Sequence, residues 1–197
     1  MRSAPLLFNG YADALEWIIR ASGVHHILHY LDDLLVLGPP RSGVCMAALD
    51  VMISICQSLG VPLAADKIAG PATSLVFLGI ELDSVRMEAR LPDDKLTRLC
   101  QELRQWATLK CCRRKELEHL LGVLNFACTV LPSGRCCMRR MFTLSHSSSD
   151  PNRFLRLNAE FRSDLAWWLA FASSWNGSPS CSSQAPLSPQ WCSILMH

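Results

Sequence analysis

The sequence predicts an α+β fold on three observations. Two short apolar runs flank a pair of acids in Ile27-Leu28-His29-Tyr30-Leu31-Asp32-Asp33-Leu34-Leu35-Val36-Leu37, which reads as a β-hairpin with acid at its tip. Helical periodicity lies on both sides of that hairpin and makes the first ninety residues mixed. After Pro92 the apolar spacing becomes helical throughout.

Each element has its own signal. Pro5 near a start, apolar Phe8, Tyr11, Ala12, Leu15, Ile18 and Ile19, and Gly23 just past the end describe one amphipathic helix leading into the hairpin. A second helix runs from about Val44 to Leu59, with Leu49, Met52, Ile53 and Cys56 on one face, Gly60 as its stop and Pro62 beyond. Strands are expected near Leu75 to Leu82 and Met87 to Leu91, joined around Asp83-Ser84. Leu96, Leu99, Cys100 and Leu103 then define one helix, and Leu117, Leu120, Leu121, Leu124 and Cys128 another. Pro132-Ser133-Gly134 interrupts the pattern before a basic helix around Arg135 to Leu144, and Ser145 to Pro151 reads as loop. A last helix, about Asn158 to Ser174, places Phe161, Leu165, Trp168 and Ala172 on one side. The Ser/Pro-rich tail beyond it is expected to be poorly ordered.

A length of 197 residues, half of them hydrophobic, allows one domain or two small ones with a core. No apolar run approaches the roughly 18 residues needed to cross a bilayer. The N-terminus lacks the basic-then-apolar order of a signal peptide, so the chain reads as intracellular, with no membrane partner. None of the ten cysteines forms the C-x-x-C pair of a zinc site, and all ten are read as reduced. His25, His26 and His29 read as surface or core residues rather than metal ligands, because neighbours in a strand point to alternate faces.

Net charge of +2 conceals a division. Residues 1 to 85 carry four basic against eight acidic side chains, whereas residues 86 to 162 carry fifteen against eight. An acidic, metal-seeking part joined to a basic part suits a protein that holds phosphates beside a cation, although a solvated basic helical face gives the same count.

Adjacent carboxylates at a buried turn repel each other unless a cation neutralises them, so Asp32 and Asp33 suggest a Mg²⁺ site; the alternative is a solvated Asp-Asp turn. Context bears on the choice. The stretch with Arg2-Ser3-Ala4-Pro5, Phe8, an amphipathic run and then Tyr30-Leu31-Asp32-Asp33 resembles motifs B and C of a reverse transcriptase palm. Leu59-Gly60-Val61-Pro62 followed by Lys67 resembles motif D, and Phe77-Leu78-Gly79 resembles the primer grip. Arg113 to Leu144 looks like the thumb, and Leu157 to Gly177 like the start of the connection region. The wording of Arg2 to Pro5, His29 to Gly38 and Asp164-Leu165-Ala166-Trp167-Trp168 is most similar to retrotransposons of the tyrosine-recombinase (DIRS-like) type.

The resemblance implies a partial polymerase palm over 1–91, a helical thumb over 92–150, the start of a connection over 151–176 and a tail over 177–197. The implied activity is RNA-directed DNA polymerisation, a nucleotidyl transfer often fused to ribonuclease H, acting on an RNA or DNA template-primer duplex. Asp32 would be a catalytic metal ligand, Asp33 an accessory one and Lys67 a proton donor to pyrophosphate; Lys67 also reads as a solvated surface lysine. Tyr30 and Leu31 would face the primer terminus, with Phe77, Leu78 and Gly79 supporting its backbone, unless these five are simply core. Gly122, Asn125 and Phe126 would track the minor groove, with Arg139 and Arg140 near phosphate; for Gly122 and Phe126 the alternative is close helix packing.

Polymerases add nucleotides with two metal ions held by carboxylates from two places. The family's other palm Asp is expected before Met1, Asp13 lies in a helix and cannot replace it, and no acid follows Asp164 to build a ribonuclease H site. The expectation is therefore a fragment inactive alone, with weak or no Mg²⁺ binding, prone to self-association through an exposed palm edge. Two other classes stay open: a non-catalytic nucleic-acid-binding module and a structural or interaction remnant.

Overall fold

The computed structural model describes residues 4–172, 174, 176, 178–179 and 190–195. They form an α+β protein in two compact units, residues 1–88 with 179–197 and residues 89–178.

The first unit begins with α1 (Ala4–Ala21), followed by the hairpin strands β1 (Ile27–Tyr30) and β2 (Asp33–Gly38) and by α2 (Val44–Ser58). Alternation along the strands sends Ile27, Leu34 and Val36 to one face, where they meet Ala12, Leu15 and Ile19 of α1 and Cys45, Ala48, Leu49, Met52 and Cys56 of α2. Each large aliphatic side chain buried this way contributes about 1.5–3 kcal/mol. Phe8 and Tyr11, expected on the buried side of α1, are instead exposed and pack on each other at a ring distance of 6.5 Å. Glu16 of α1 is joined to the hairpin by His29 Nδ1, while Arg20 donates to the carbonyls of His25 and Ile27 at 2.6 Å.

A 3-10 turn at Ala65–Lys67 leads to β3 (Ala69–Ala72), then β4 (Ser74–Phe77) and β5 (Ile80–Asp83). The single strand expected over Leu75 to Leu82 is therefore a tight antiparallel hairpin, with Phe77 opposite Ile80. Leu78 (φ 50°) and Gly79 (φ 75°) both adopt the left-handed conformation that a two-residue hairpin turn requires. Ser84 Oγ donates to the Thr73 carbonyl at 2.9 Å and closes the base of that hairpin. Strand β6 (Glu88–Arg90) follows.

The second unit is mainly helical. It contains α3 (Asp93–Thr108), β7 (Cys111–Arg113), α4 (Arg114–Ala127), a 3-10 turn at Pro132–Met138, α5 (Arg139–Ser145), β8 (Phe154–Arg156) and α6 (Ala159–Phe171). The expected faces are the buried ones: Leu117, Leu120, Leu121, Leu124 and Cys128 on and just after α4, and Phe161, Leu165, Trp168 and Ala172 on and just after α6. Asn158 caps α6, its side-chain oxygen accepting from the Phe161 N–H at 2.9 Å. The antiparallel pair β7–β8 has no counterpart in the sequence reading, because three-residue strands are too short to show alternation. The basic helix expected from Arg135 begins as 3-10 and becomes α-helical at Arg139. Gly134 is needed where it stands, since a Cβ there would lie 2.4 Å from the Trp168 ring.

Two expectations are corrected. The tail over 177–197 was expected to be disordered, yet Ser178–Pro179 (β9) and Gln190–Leu195 (β10) are strands; 177, 180–189 and 196–197 lie outside the described residues. The run Trp191-Cys192-Ser193-Ile194-Leu195 is uncharged and rich in residues that favour strands, a signal outweighed in the sequence by the Ser and Pro before it. Strand β10 lies between β2 and β3 in the order β1-β2-β10-β3 and pairs antiparallel with both. The side of β2 turned away from β1 is thus not an open edge. Cys45 is disulfide-bonded, contrary to the reading of all ten cysteines as thiols, whereas Cys56, Cys100, Cys111, Cys112, Cys128, Cys136 and Cys137 are free.

Candidate functional site

In the first unit the acidic hairpin turns on two residues. Tyr30 and Asp33 are the last cross-strand pair, and Leu31 and Asp32 make the turn, Leu31 with φ 53°. A left-handed leucine is strained by roughly 1–2 kcal/mol, so packing and pairing along β1 and β2 must hold it. Asp33 belongs to β2 and is half-buried; burial, and then the charge of Asp32, push its carboxyl above the ordinary aspartate range, against the pull of Lys67. The structure therefore brings Asp32, Asp33 and Lys67 into one electrostatic neighbourhood. Tyr30 is 59 % exposed beside them. On the far side of β2, the residue in register with Asp33 is Leu195.

Phe77, Leu78 and Gly79 form the tip of the second hairpin, with Leu78 exposed and Phe77 half-buried. The sequence placed all three inside one strand; the structure puts them at a turn.

Asp32 and Asp33 are chemically suited to one hard cation, which prefers carboxylate oxygen. Among the described residues no group of three or more His, Cys, Asp or Glu is arranged to hold a metal ion. At this tip the two carboxylates are neighbours in sequence, whereas a two-ion centre calls for carboxylates from two places. Asp13 and Glu16 are engaged elsewhere, flanking His29.

The second unit contains a groove of about 660 Å³ between α3 and α4, lined in part by Leu91, Lys95, Arg98, His119, Gly122 and Phe126. Gly122 and Phe126 lie on its α4 side at the i, i+4 spacing, whereas Asn125, exposed like them, does not line it. A Cβ at Gly122 would meet nothing within 4 Å, so close packing inside this chain does not explain the glycine. Lys95 stands 4.8 Å above the Phe126 ring and presents a cation at the groove. Lys95, Arg98 and His119 escaped the sequence reading; the i, i+3 spacing of Lys95 and Arg98, which puts both cations on one face of α3, was the available signal.

Arg139 and Arg140 part company. Arg139 is exposed and shares a surface depression with Arg135, Phe142 and His146. Arg140 grips the buried carboxylate of Asp164 with both Nε and its terminal nitrogen, the Nε contacts being 3.0 and 3.2 Å. It serves α5–α6 packing, a role its sequence neighbourhood could not announce from 24 residues away.

No described helix is long and apolar enough to cross a membrane. In comparison with known proteins, no family model matches the chain and no curated protein matches it significantly.

Proposed function

We propose that this chain is the back of a retrotransposon reverse-transcriptase palm joined to a thumb, and that it binds template-primer duplex without catalysing extension by itself. The observation that carries the reading is the acidic hairpin: a two-residue turn with a strained Leu31, followed by a half-buried Asp33 within the field of Asp32 and Lys67. Solvated Asp-Asp turns need neither the strain nor the burial, and both recur where structure is held for function. The groove at Gly122 supports the binding half, because an exposed helical glycine, about 1 kcal/mol worse than alanine, is explained by close approach of a partner.

Extension needs two ions on carboxylates from two places, and among the described residues no group of three or more such ligands is gathered. Incubation with Mg²⁺, primer-template and all four nucleotides is expected to give no extension. Extension abolished by Asp32→Asn would overturn the inactive reading while supporting the family. A second reading, a nucleic-acid-binding module without polymerase ancestry, rests on the groove alone. It is favoured if duplex binds and Asp32 and Asp33 show no Mg²⁺-dependent chemical shifts.

A further inference from the structure

The two-stranded ribbon β7–β8 has one face in the core of the second unit and the other in solvent. Alternation sends Cys112 and Leu155 inward, where both are buried, and Cys111, Arg113, Phe154 and Arg156 outward. Register sets those four in two cross-strand pairs, Arg113 opposite Phe154 and Cys111 opposite Arg156. Backbone bonds continue past both ends of the ladder: the Arg114 N–H donates to the Arg153 carbonyl at 3.1 Å and the Leu157 N–H to the Lys110 carbonyl at 3.0 Å. The outward side chains therefore stand on a firmly paired backbone.

Phe154 is 65 % exposed, although burying a ring of its size is worth about 1.5–3 kcal/mol. Its ring neighbour is a cation, the Arg113 guanidinium carbon lying 5.5 Å from the ring centroid. The charge around it is one-sided. Segments 109–115 and 151–158 hold six basic residues and no acidic one. Arg114 is engaged by Glu118 and the Ser148 carbonyl. Arg113, Arg153 and Arg156 are exposed, and no ion pair among the described residues engages them. The face thus offers an open aromatic ring among unspent cations.

That combination matches an unpaired nucleotide, whose base stacks on a ring while its phosphates meet guanidinium groups. Bases inside a duplex keep their faces in the stack and cannot use such a ring. An anionic membrane would also attract the cations, but membrane binding grows with buried apolar area, and Phe154 is the one large apolar side chain of the four that face out. We propose that the outer face of β7–β8 binds single-stranded nucleic acid, with Phe154 as the stacking platform for a base and Arg113 and Arg156 as contacts to the phosphates beside it. None of the ribbon's residues lines the α3–α4 groove, so binding here is independent of duplex binding there.

The test titrates the full chain with labelled oligothymidylate and with a labelled blunt-ended duplex. Phe154→Ala is expected to weaken oligothymidylate binding about tenfold and to leave duplex binding unchanged. Phe154→Leu, which keeps apolar volume and loses the ring face, is expected to weaken it similarly, and Phe154→Trp to retain it. Arg113→Ala with Arg156→Ala is expected to flatten the salt slope for the single strand by up to about 1.4 units, at roughly −0.7 per phosphate. Oligothymidylate affinity unchanged in Phe154→Leu, no oligothymidylate binding by the wild type, or equal losses for single strand and duplex overturns the proposal. Vesicles of phosphatidylcholine and phosphatidylserine form the last arm: Phe154-dependent binding to them that exceeds binding to oligothymidylate overturns it in favour of a membrane contact.

Discussion

Asp33 shows how a single residue carries both the site's chemistry and a cost to the fold. Its carboxyl is raised above the ordinary 3.8 by burial, then by Asp32, with Lys67 opposing. A carboxyl raised in the folded state holds its proton more tightly there than in the unfolded chain, so stability falls as pH climbs from about 3.8 through the raised value. Asp33→Asn removes that loss. Melting curves are expected to show the variant more stable than wild type at neutral pH, with the difference shrinking toward pH 3.8; a constant difference would place the cause elsewhere. Gly122 makes the complementary case. Gly122→Ala is expected to stabilise the isolated chain by about 0.5–1 kcal/mol, as alanine does in a helix interior, and to weaken duplex binding, because the methyl occupies the groove. A gain in both would separate the glycine from binding. The acid pair and the glycine were legible as residues, whereas Leu31 was read into the first strand and Asp33 into the turn, the reverse of their places in the structure. The Arg140–Asp164 pair was not legible, since nothing local marks a partner 24 positions away.

At the scale of elements, long periodic segments were read well and short ones were not. Helices α1, α2, α3, α4 and α6 stand close to where their apolar spacing put them, because burial of one stripe sets both the pattern and the fold. The β4–β5 hairpin was merged into one strand for a physical reason: both faces of Leu75 to Leu82 are apolar, and Leu78-Gly79 is a weaker turn signal than Asn-Gly. Its geometry makes a direct test. Gly79 has φ 75°, so Gly79→Val is expected to cost about 1–2 kcal/mol through left-handed strain, measured as a lower denaturation midpoint. Leu31→Gly, at φ 53°, is expected to shift the midpoint the opposite way by relieving the same strain in the other hairpin. If both substitutions destabilise alike, side-chain contacts rather than backbone strain govern the two turns. Strand β10 lay beyond sequence reasoning because its pairing is decided by a gap at the other end of the chain.

Across the whole molecule the charge division predicted from sequence falls close to the boundary between units. The first unit carries five basic against nine acidic side chains and the second fourteen against eight. Duplex binding is therefore expected to reside in the second unit and to weaken with salt, each neutralised phosphate contributing a slope of roughly −0.9 in log affinity against log salt. Geometry then sorts the arginines that sequence alone treated as equivalent. Arg98 lines the groove with its side chain exposed and Arg139 lies on the exposed side of α5, so Arg98→Ala with Arg139→Ala is expected to flatten the slope by up to about two units. Arg140 is already bound to Asp164, so Arg140→Ala is expected to lower the melting temperature by leaving that buried carboxylate unpaired, with little change in slope. Asp32→Asn, in the acidic unit, is expected to leave the slope unchanged. Labelled duplex titrated at several salt concentrations, with melting curves on the same samples, separates these outcomes. A slope that falls with Arg140→Ala but not with the Arg98 and Arg139 pair would move the interface off the α3–α4 groove and the outer face of α5.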